Sequence, residues 1–206
     1  MKVGILDYKA CNLASVFSSL YKLGIDPIIV NNSKELTEID KLIIPGVGAA
    51  KNCMDYLKYN SFIDPLKDFL INKPILGICL GMQIFAKKLY ENGFSEGIGY
   101  IDGEVKKLDT KIKFNIGWKE VKLKKKIEEK FNIVDLSSFY YCHSYYMSLK
   151  KNENCLATSI IDNNHEIPAI VLKNNFIGTQ FHPEKSQNNG NKFLEFFLNW
   201  KKNWTS

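Results

Sequence analysis

A thiol between two glycines, directly after an apolar run, carries the most chemistry in this chain: Leu76-Gly77-Ile78-Cys79-Leu80-Gly81-Met82-Gln83. A Gly-x-Cys-x-Gly turn is the cysteine counterpart of the Gly-x-Ser-x-Gly nucleophile elbow, where glycine leaves room for a sharp turn from strand into helix. Cys79 would then stand at a helix N-terminus, where free N–H groups and the helix dipole favour a thiolate. The competing reading is a small buried hydrophobe in a strand-turn-helix, and only a base and an oxyanion site elsewhere separate the two. The late run Gly178-Thr179-Gln180-Phe181-His182-Pro183-Glu184-Lys185-Ser186 offers the base. His182 can hold a proton near neutral pH and return it to a leaving amine. Glu184 lies two residues on; in an extended chain it shares a side with His182 and can fix the imidazole tautomer. The loop Pro45-Gly46-Val47-Gly48 offers the oxyanion site, with the backbone N–H groups of Val47 and Leu80 as candidate donors. Each segment alone reads equally well as a tight turn. Together they point to a Cys79-His182-Glu184 triad.

Two further groups, His143 and Asp7, keep two readings each. His143, in an aromatic run with Ser144 and Tyr145, either lines a substrate pocket or is a satisfied core histidine. Asp7 is a second carboxylate or a local cap, and His165 falls in a polar turn.

The elements that must position these residues alternate in the first half. Val3 to Leu6, Pro27 to Val30, Lys41 to Ile44 and Pro74 to Cys79 read as strands. Helices follow from Asn12 to Gly24, Ala49 to Leu57, Asp64 to Ile71 and Leu80 to about Tyr90. Such alternation implies βαβ units, and ligands in open α/β sheets gather at the carboxyl ends of the strands. The second half reads as short strands near 99–108, 112–123, 138–147, 155–161, 167–173 and 175–181. A last helix, from Asn189 to Lys202, packs Phe193, Phe196, Phe197 and Trp200 on the sheet. With no linker or repeat, residues 1–206 read as one α/β domain with an open, mixed, mainly parallel sheet flanked by helices.

Composition removes several function classes. The net charge is +6, yet all 28 basic residues are lysine, so the planar forks that read phosphate and guanine are absent. The densest basic stretch, Lys119 to Lys126, alternates with Val121 and Leu123 and reads as a solvated strand face. No nucleic-acid partner is expected. No apolar run approaches the roughly 20 residues of a membrane span. Met1 to Asp7 reads as a first strand and not as a signal peptide. Five cysteines without a CxxC spacing argue against disulfides or a zinc site and for the reducing cytoplasm. The chemistry outlined above calls for no metal or cofactor.

With these residues in place, the chain resembles the class I (triad) glutamine amidotransferases along nearly its whole length, through Gly-Ile-Cys-Leu-Gly-Met-Gln. Pro-Gly-Val-Gly-Ala at 45–49, Ile-Gly-Trp at 116–118, Tyr-x-x-His-Ser-Tyr at 140–145 and Gly-Thr-Gln-Phe-His-Pro-Glu-Lys-Ser at 178–186 narrow this to the glutaminase subunit of imidazole glycerol phosphate synthase. The resemblance implies a flavodoxin-like fold and hydrolysis of L-glutamine to glutamate and ammonia. It implies glutamine contacts at Gly48, Gln83, Glu91, His143, Ser144 and Tyr145. It also implies a heterodimer in which ammonia passes to a (β/α)8 barrel cyclase docked near Trp118, Tyr140 and Lys185. Two segments depart from the family pattern: Lys9-Ala10-Cys11-Asn12-Leu13-Ala14 and Asn115-Ile116-Gly117-Trp118-Lys119. Both are expected at the partner face. They leave open a paralogue feeding a sugar amidotransferase of surface-polysaccharide or flagellar glycan synthesis. A non-catalytic scaffold on the same fold is the alternative of another class.

Overall fold

Short apolar runs that bury both faces become the central strands of a computed structural model, which describes residues 1–9, 11–109, 112–123, 138–162 and 165–200. The first half runs β1 (Val3–Leu6), α1 (Leu13–Lys22), β2 (Ile28–Val30), β3 (Lys41–Ile44), α2 (Ala50–Tyr59), α3 (Ile63–Asn72), β4 (Ile75–Ile78) and α4 (Leu80–Gln83). The second half adds β5 (Ala86–Leu89), β6 (Ser95–Glu96), β7 (Ile101–Lys107), β8 (Asn115–Glu120), β9 (Lys122–Leu123), β10 (Ser138–His143) and β11 (Tyr145–Leu149). It ends with β12 (Cys155–Asp162), β13 (His165–Lys173), β14 (Phe176–Thr179) and α5 (Gln187–Asn199).

The main sheet has the order β2-β1-β3-β4-β14-β13-β12-β9. Its first five strands are parallel and the rest antiparallel, so the fold is α/β with an open, mainly parallel sheet. Alternate side chains of each strand feed opposite cores. Leu6, Leu42, Ile44 and Ile75 pack with Leu57, Leu66 and Phe69 of α2 and α3. Val3, Ile5, Ile43, Leu76 and Ile78 pack with Val16 and Leu20 of α1 and with Phe193 and Phe197 of α5. Among the described residues no helix is long and apolar enough to cross a membrane.

Three expectations are corrected. The helix from Leu80 stops at Gln83, and Ala86–Leu89 is a strand pairing with β6 and β7. The apolar run through Ile84, Phe85 and Ala86 fits a buried strand as well as a helix, and periodicity cannot separate them. Pairing decides: Ala86, Lys88 and Leu89 register with Ile101, Glu104 and Val105 of β7, which buries Ala86 and Leu89, while the exposed Lys87 and Lys88 meet Asp102 at 3.0 Å and Glu104 at 3.3 Å. The second half is divided among the main sheet, a four-stranded sheet β11-β7-β5-β6 and a ribbon β10-β8, instead of extending one sheet. The last helix begins at Gln187, and Trp200 is its C-cap. Lys201 and Lys202 lie outside the described residues, as do Ala10 and the Lys124–Lys126 part of the basic stretch.

Candidate active site

Parallel strands set side by side bring their carboxyl-end loops together, and β3, β4 and β14 are neighbours. The register pairs Gly178 with Gly77 and Thr179 with Ile78, so the chain after β14 leaves beside Cys79. Cys79 has φ of 49° and ψ of −104°, a left-handed conformation that a non-glycine residue holds only when its surroundings impose it. They do so on both sides. Its N–H donates to Thr179 O at 2.6 Å, and its carbonyl accepts from the N–H groups of Met82 and Gln83. The flanking glycines are required by space: a Cβ on Gly77 would lie 2.5 Å from Gly81 O, and one on Gly81 would lie 2.1 Å from Ile44 O. The helix behind Cys79 has four residues, so its macrodipole is small.

His182 supplies the charge instead. Its Nδ1 lies 2.8 Å from Glu184 Oε1, and both side chains are buried. They do not meet by extended alternation: Pro183–Lys185 forms a 3₁₀ turn that folds Glu184 back beneath the ring, with proline at its first position. The main chain of His182 is anchored three times: its N–H donates to Tyr140 O, and its carbonyl accepts from Ser186 Oγ at 2.6 Å and from Lys185 N at 3.1 Å. Burial alone would depress His182, but the adjoining Cys79 sulfur and Glu184 carboxylate outweigh it and hold the imidazole well above its ordinary range. The Cys79 sulfur and the Glu184 carboxylate thus both favour the protonated ring of His182.

The Pro45–Gly48 loop passes directly over the elbow. A Cβ on Gly46 would sit 1.6 Å from Ile78 O and 2.6 Å from Leu80 N. On the loop's other side, at the end of β1, the buried Tyr8 hydroxyl lies 3.0 Å from both Pro45 O and Val47 O. The loop is thus clasped between Tyr8 and the elbow, with Val47 half-buried and Gly48 exposed at φ of 103°.

The remaining pocket candidates divide. Glu91 follows β5, and its Oε2 accepts from Ala50 N at 2.6 Å, so it sits at the start of α2 close to Gly48. Gln83 is buried, with Nε2 2.8 Å from Tyr145 O and 3.2 Å from Gln180 Oε1. His143 is satisfied at both nitrogens, by Tyr145 O on Nδ1 and Asn115 Nδ2 on Nε2, each at 2.9 Å. The carbonyl demands a proton on Nδ1, so Nε2 accepts and the ring is neutral. Burial and the neighbouring His182 charge bring its pKa down to about 4, against the raising effect of the Tyr145 carbonyl. Ser144 and Tyr145 are half-buried at the junction of β10 and β11. Asp7 pairs with Lys9 at 2.7 Å near Cys11 and joins no catalytic group.

Trp118 and Tyr140 are register partners on the β10-β8 ribbon, their rings edge-on at 6.2 Å. Phe114, Ile116 and Trp118 are exposed, as is Lys185 nearby in sequence to Ser186, which lines a groove of about 380 Å³ with Trp118. Asn115, expected at the partner face, is instead buried against His143. An open cleft of about 440 Å³ lined by Lys34, Thr37, Asp68 and Lys73 lies at the other end of the strands and touches none of this chemistry. Sequence reasoning assigned no role to Tyr8, Gln180 or Ser186, and no contact with His143 to Asn115. Gln180 and Ser186 stood inside the quoted run, and nothing but the fold shows what they touch.

Residues 4–200 match the family described as glutamine amidotransferase class-I. The chain is 41% identical over 201 residues to the imidazole glycerol phosphate synthase subunit HisH 1 of Campylobacter jejuni strain RM1221, covering 95% of this chain and 98% of that protein. It is 36% identical over 209 residues to the imidazole glycerol phosphate synthase subunit HisH of Pelagibacter ubique strain HTCC1062, covering 97% and 100%. Among solved structures, PurLQS from Thermotoga maritima shares the fold with a TM-score of 0.76 at 19% identity, over 96% of this chain and 97% of that one. An end-to-end family match, on a fold that sets the Cys79 elbow beside His182, makes this chain a member of the class I glutamine amidotransferases.

Proposed function

We propose that the chain is the glutaminase subunit of an imidazole glycerol phosphate synthase, hydrolysing L-glutamine and passing ammonia to a (β/α)8 barrel cyclase in histidine biosynthesis. In this reading residues 1–206 act as a single cytoplasmic amidotransferase domain, paired with the cyclase as a heterodimer. The observation that carries it is the Cys79, His182 and Glu184 assembly beneath the Gly46 loop, in a chain with full-length relatives named as that subunit.

The reaction follows from the charges. The Cys79 thiolate attacks the side-chain amide carbon of glutamine, and the carbonyl electrons move onto oxygen. The N–H groups of Leu80 and Val47 take up that oxyanion. The His182 imidazolium gives its proton to the amide nitrogen, the C–N bond breaks, and ammonia leaves a γ-glutamyl thioester. Neutral His182 then removes a proton from water, the hydroxide adds to the thioester, and the C–S bond breaks to release glutamate and restore the thiolate. Glu184 stabilises the imidazolium at each stage. Gly48, Gln83, Glu91, His143, Ser144 and Tyr145 surround the substrate end of this site. Trp118, Tyr140 and Lys185 form the docking face, which the exposed apolar residues of the ribbon support.

Glutamine hydrolysis measured with and without the matched cyclase and its ligand tests the reading. The rate rises with the partner, and Cys79→Ala abolishes it while leaving partner binding intact. Residual hydrolysis by that variant refutes the triad. Rescue of a histidine auxotroph lacking this subunit tests the pathway; failure despite soluble expression with the cyclase favours a sugar amidotransferase as the ammonia acceptor.

A further inference from the structure

Gln180 is fully buried beside the nucleophile, and the mechanism above leaves it without a task. Its amide completes a chain of hydrogen bonds whose direction is forced from the far end. The Tyr145 carbonyl can only accept, so the Gln83 group 2.8 Å away must be its NH2. That same NH2 lies 3.2 Å from Gln180, which must therefore present its oxygen there. The Gln180 NH2 is then the end that faces Cys79, with Nε2 3.5 Å from Sγ. Reversing either amide would set two donors, or two acceptors, against each other.

We propose that Gln180 is a thiolate-binding residue, donating an N–H to Cys79 Sγ in an orientation imposed by Gln83 and the Tyr145 carbonyl. A donor aimed at the anionic form of an acid favours that form. His182 does the same by charge, but its charge disappears when it protonates the leaving nitrogen. The Gln180 amide is neutral throughout and keeps its proton, so it still faces the sulfur when the thioester breaks and the thiolate must leave. A four-residue helix provides little of this stabilisation, which gives the amide a distinct part in it. The Tyr145 carbonyl also accepts from His143 Nδ1, so both of its lone pairs are engaged and the starting point of the chain is fixed.

The consequence for turnover rests on the glutaminase reading, but the contact itself is tested without glutamine. Iodoacetamide labelling of Cys79 in the full-length protein, followed by peptide mass across a pH series, reads the thiolate directly. Gln180→Met keeps the length and removes the donor. The midpoint of labelling should move up by about half to one pH unit, with a three- to tenfold slower rate at pH 7. With the cyclase bound, kcat should fall by a similar factor while KM for glutamine stays within twofold. Gln180→Glu, which places a carboxylate against the sulfur, should move the midpoint further. If Gln180→Met unfolds the protein, seen as labelling of buried Cys53 and Cys155, then Gln83→Leu frees the Gln180 amide to turn and should shift the midpoint in the same direction by less. An unchanged midpoint in a folded Gln180→Met or Gln83→Leu protein overturns the proposal. A wild-type protein that hydrolyses no glutamine even with its partner would sink the functional reading and leave this measurement standing.

Discussion

Gly46→Ala is the sharpest perturbation of the loop proposed to supply an oxyanion donor. The added Cβ would fall 1.6 Å from Ile78 O, 2.6 Å from Ile78 C and 2.6 Å from Leu80 N. All three are backbone atoms at the end of β4, held by strands on both sides, so the elbow has little freedom to yield. Ordinary contact begins at 3.4 Å, and the loop must retreat by the difference, about 1.8 Å. Oxyanion donors work only within about 2.7–3.1 Å of the developing charge, so Val47 leaves the site. Losing one such donor costs roughly 10²–10³ in rate, about 3–4 kcal/mol of transition-state stabilisation. Steady-state glutaminase assays with the cyclase bound should show kcat down at least ~100-fold and KM within ~threefold, because the loss falls mainly on the transition state. Cys79 alkylation should keep its pH profile, since His182 and Gln180 are untouched. Gly24→Ala serves as the control: its φ is +77° with nothing within 4 Å of the new Cβ, so only strain of about 1 kcal/mol is expected, with normal kcat. A folded Gly46→Ala protein with kcat within threefold of the parent would refute the assignment of this loop to the oxyanion site.

Three other outcomes follow from contacts elsewhere. His143 is neutral and buried with its pKa lowered to about 4, so the folded protein binds fewer protons than the unfolded chain between that value and 6.5. Its contribution to stability is complete above pH 6.5 and is lost as pH falls, by ~2–3 kcal/mol at pH 4.5; urea unfolding at pH 7 and 4.5 should show His143→Gln to be flatter than the parent by about that amount. The Lys41 ammonium donates to the carbonyls of Phe197, Leu198 and Trp200 at the end of α5, at 2.6–2.8 Å. Lys41→Met takes this donor from the Leu198 and Trp200 carbonyls and leaves Phe197 O only its bond from Trp200 N, and should lower unfolding stability by about 2–4 kcal/mol, with kcat unchanged at the far end of the sheet. Trp118→Ala should weaken cyclase binding at least ~tenfold in a titration while lowering the stability of the free subunit by only about 1–2 kcal/mol, because Trp118 is 45% exposed and packs edge-on against Tyr140; undiminished affinity would remove the ribbon from the docking face.

The parallel half of the fold was legible because its signals are local. Val3–Leu6, Lys41–Ile44 and Ile75–Ile78 are short runs buried on both faces, separated by helices with apolar positions at helical spacing. Local signals failed where two conformations suit the same residues. Ile84 to Leu89 is apolar enough for a helix, and the strand partners β6 and β7, which lie further along the chain, make Ala86–Leu89 a strand. Glu91, which follows this strand, consequently stands beside Ala50. The His182–Glu184 pair was read from spacing, but the contact is made by a 3₁₀ turn and not by an extended chain.

By itself the sequence determined which atoms can react and where the backbone must turn: a thiol flanked by glycines, an imidazole two residues before a carboxylate, and a glycine-rich loop after an apolar strand. These are properties of neighbouring residues, which set local conformation without help. The tertiary structure decided what faces what. Gln180 meets Cys79 across 101 positions because Gly178 pairs with Gly77 in the sheet. The same register sets His182 near the sulfur, and the order of β1, β3 and β4 places the loop between Tyr8 and the elbow. Sheet register is the joint outcome of every core contact, so no segment read alone contains it. That is why the Cys79 elbow could be read from eight residues of sequence, while the contacts its thiol makes with His182 and Gln180 required the whole fold.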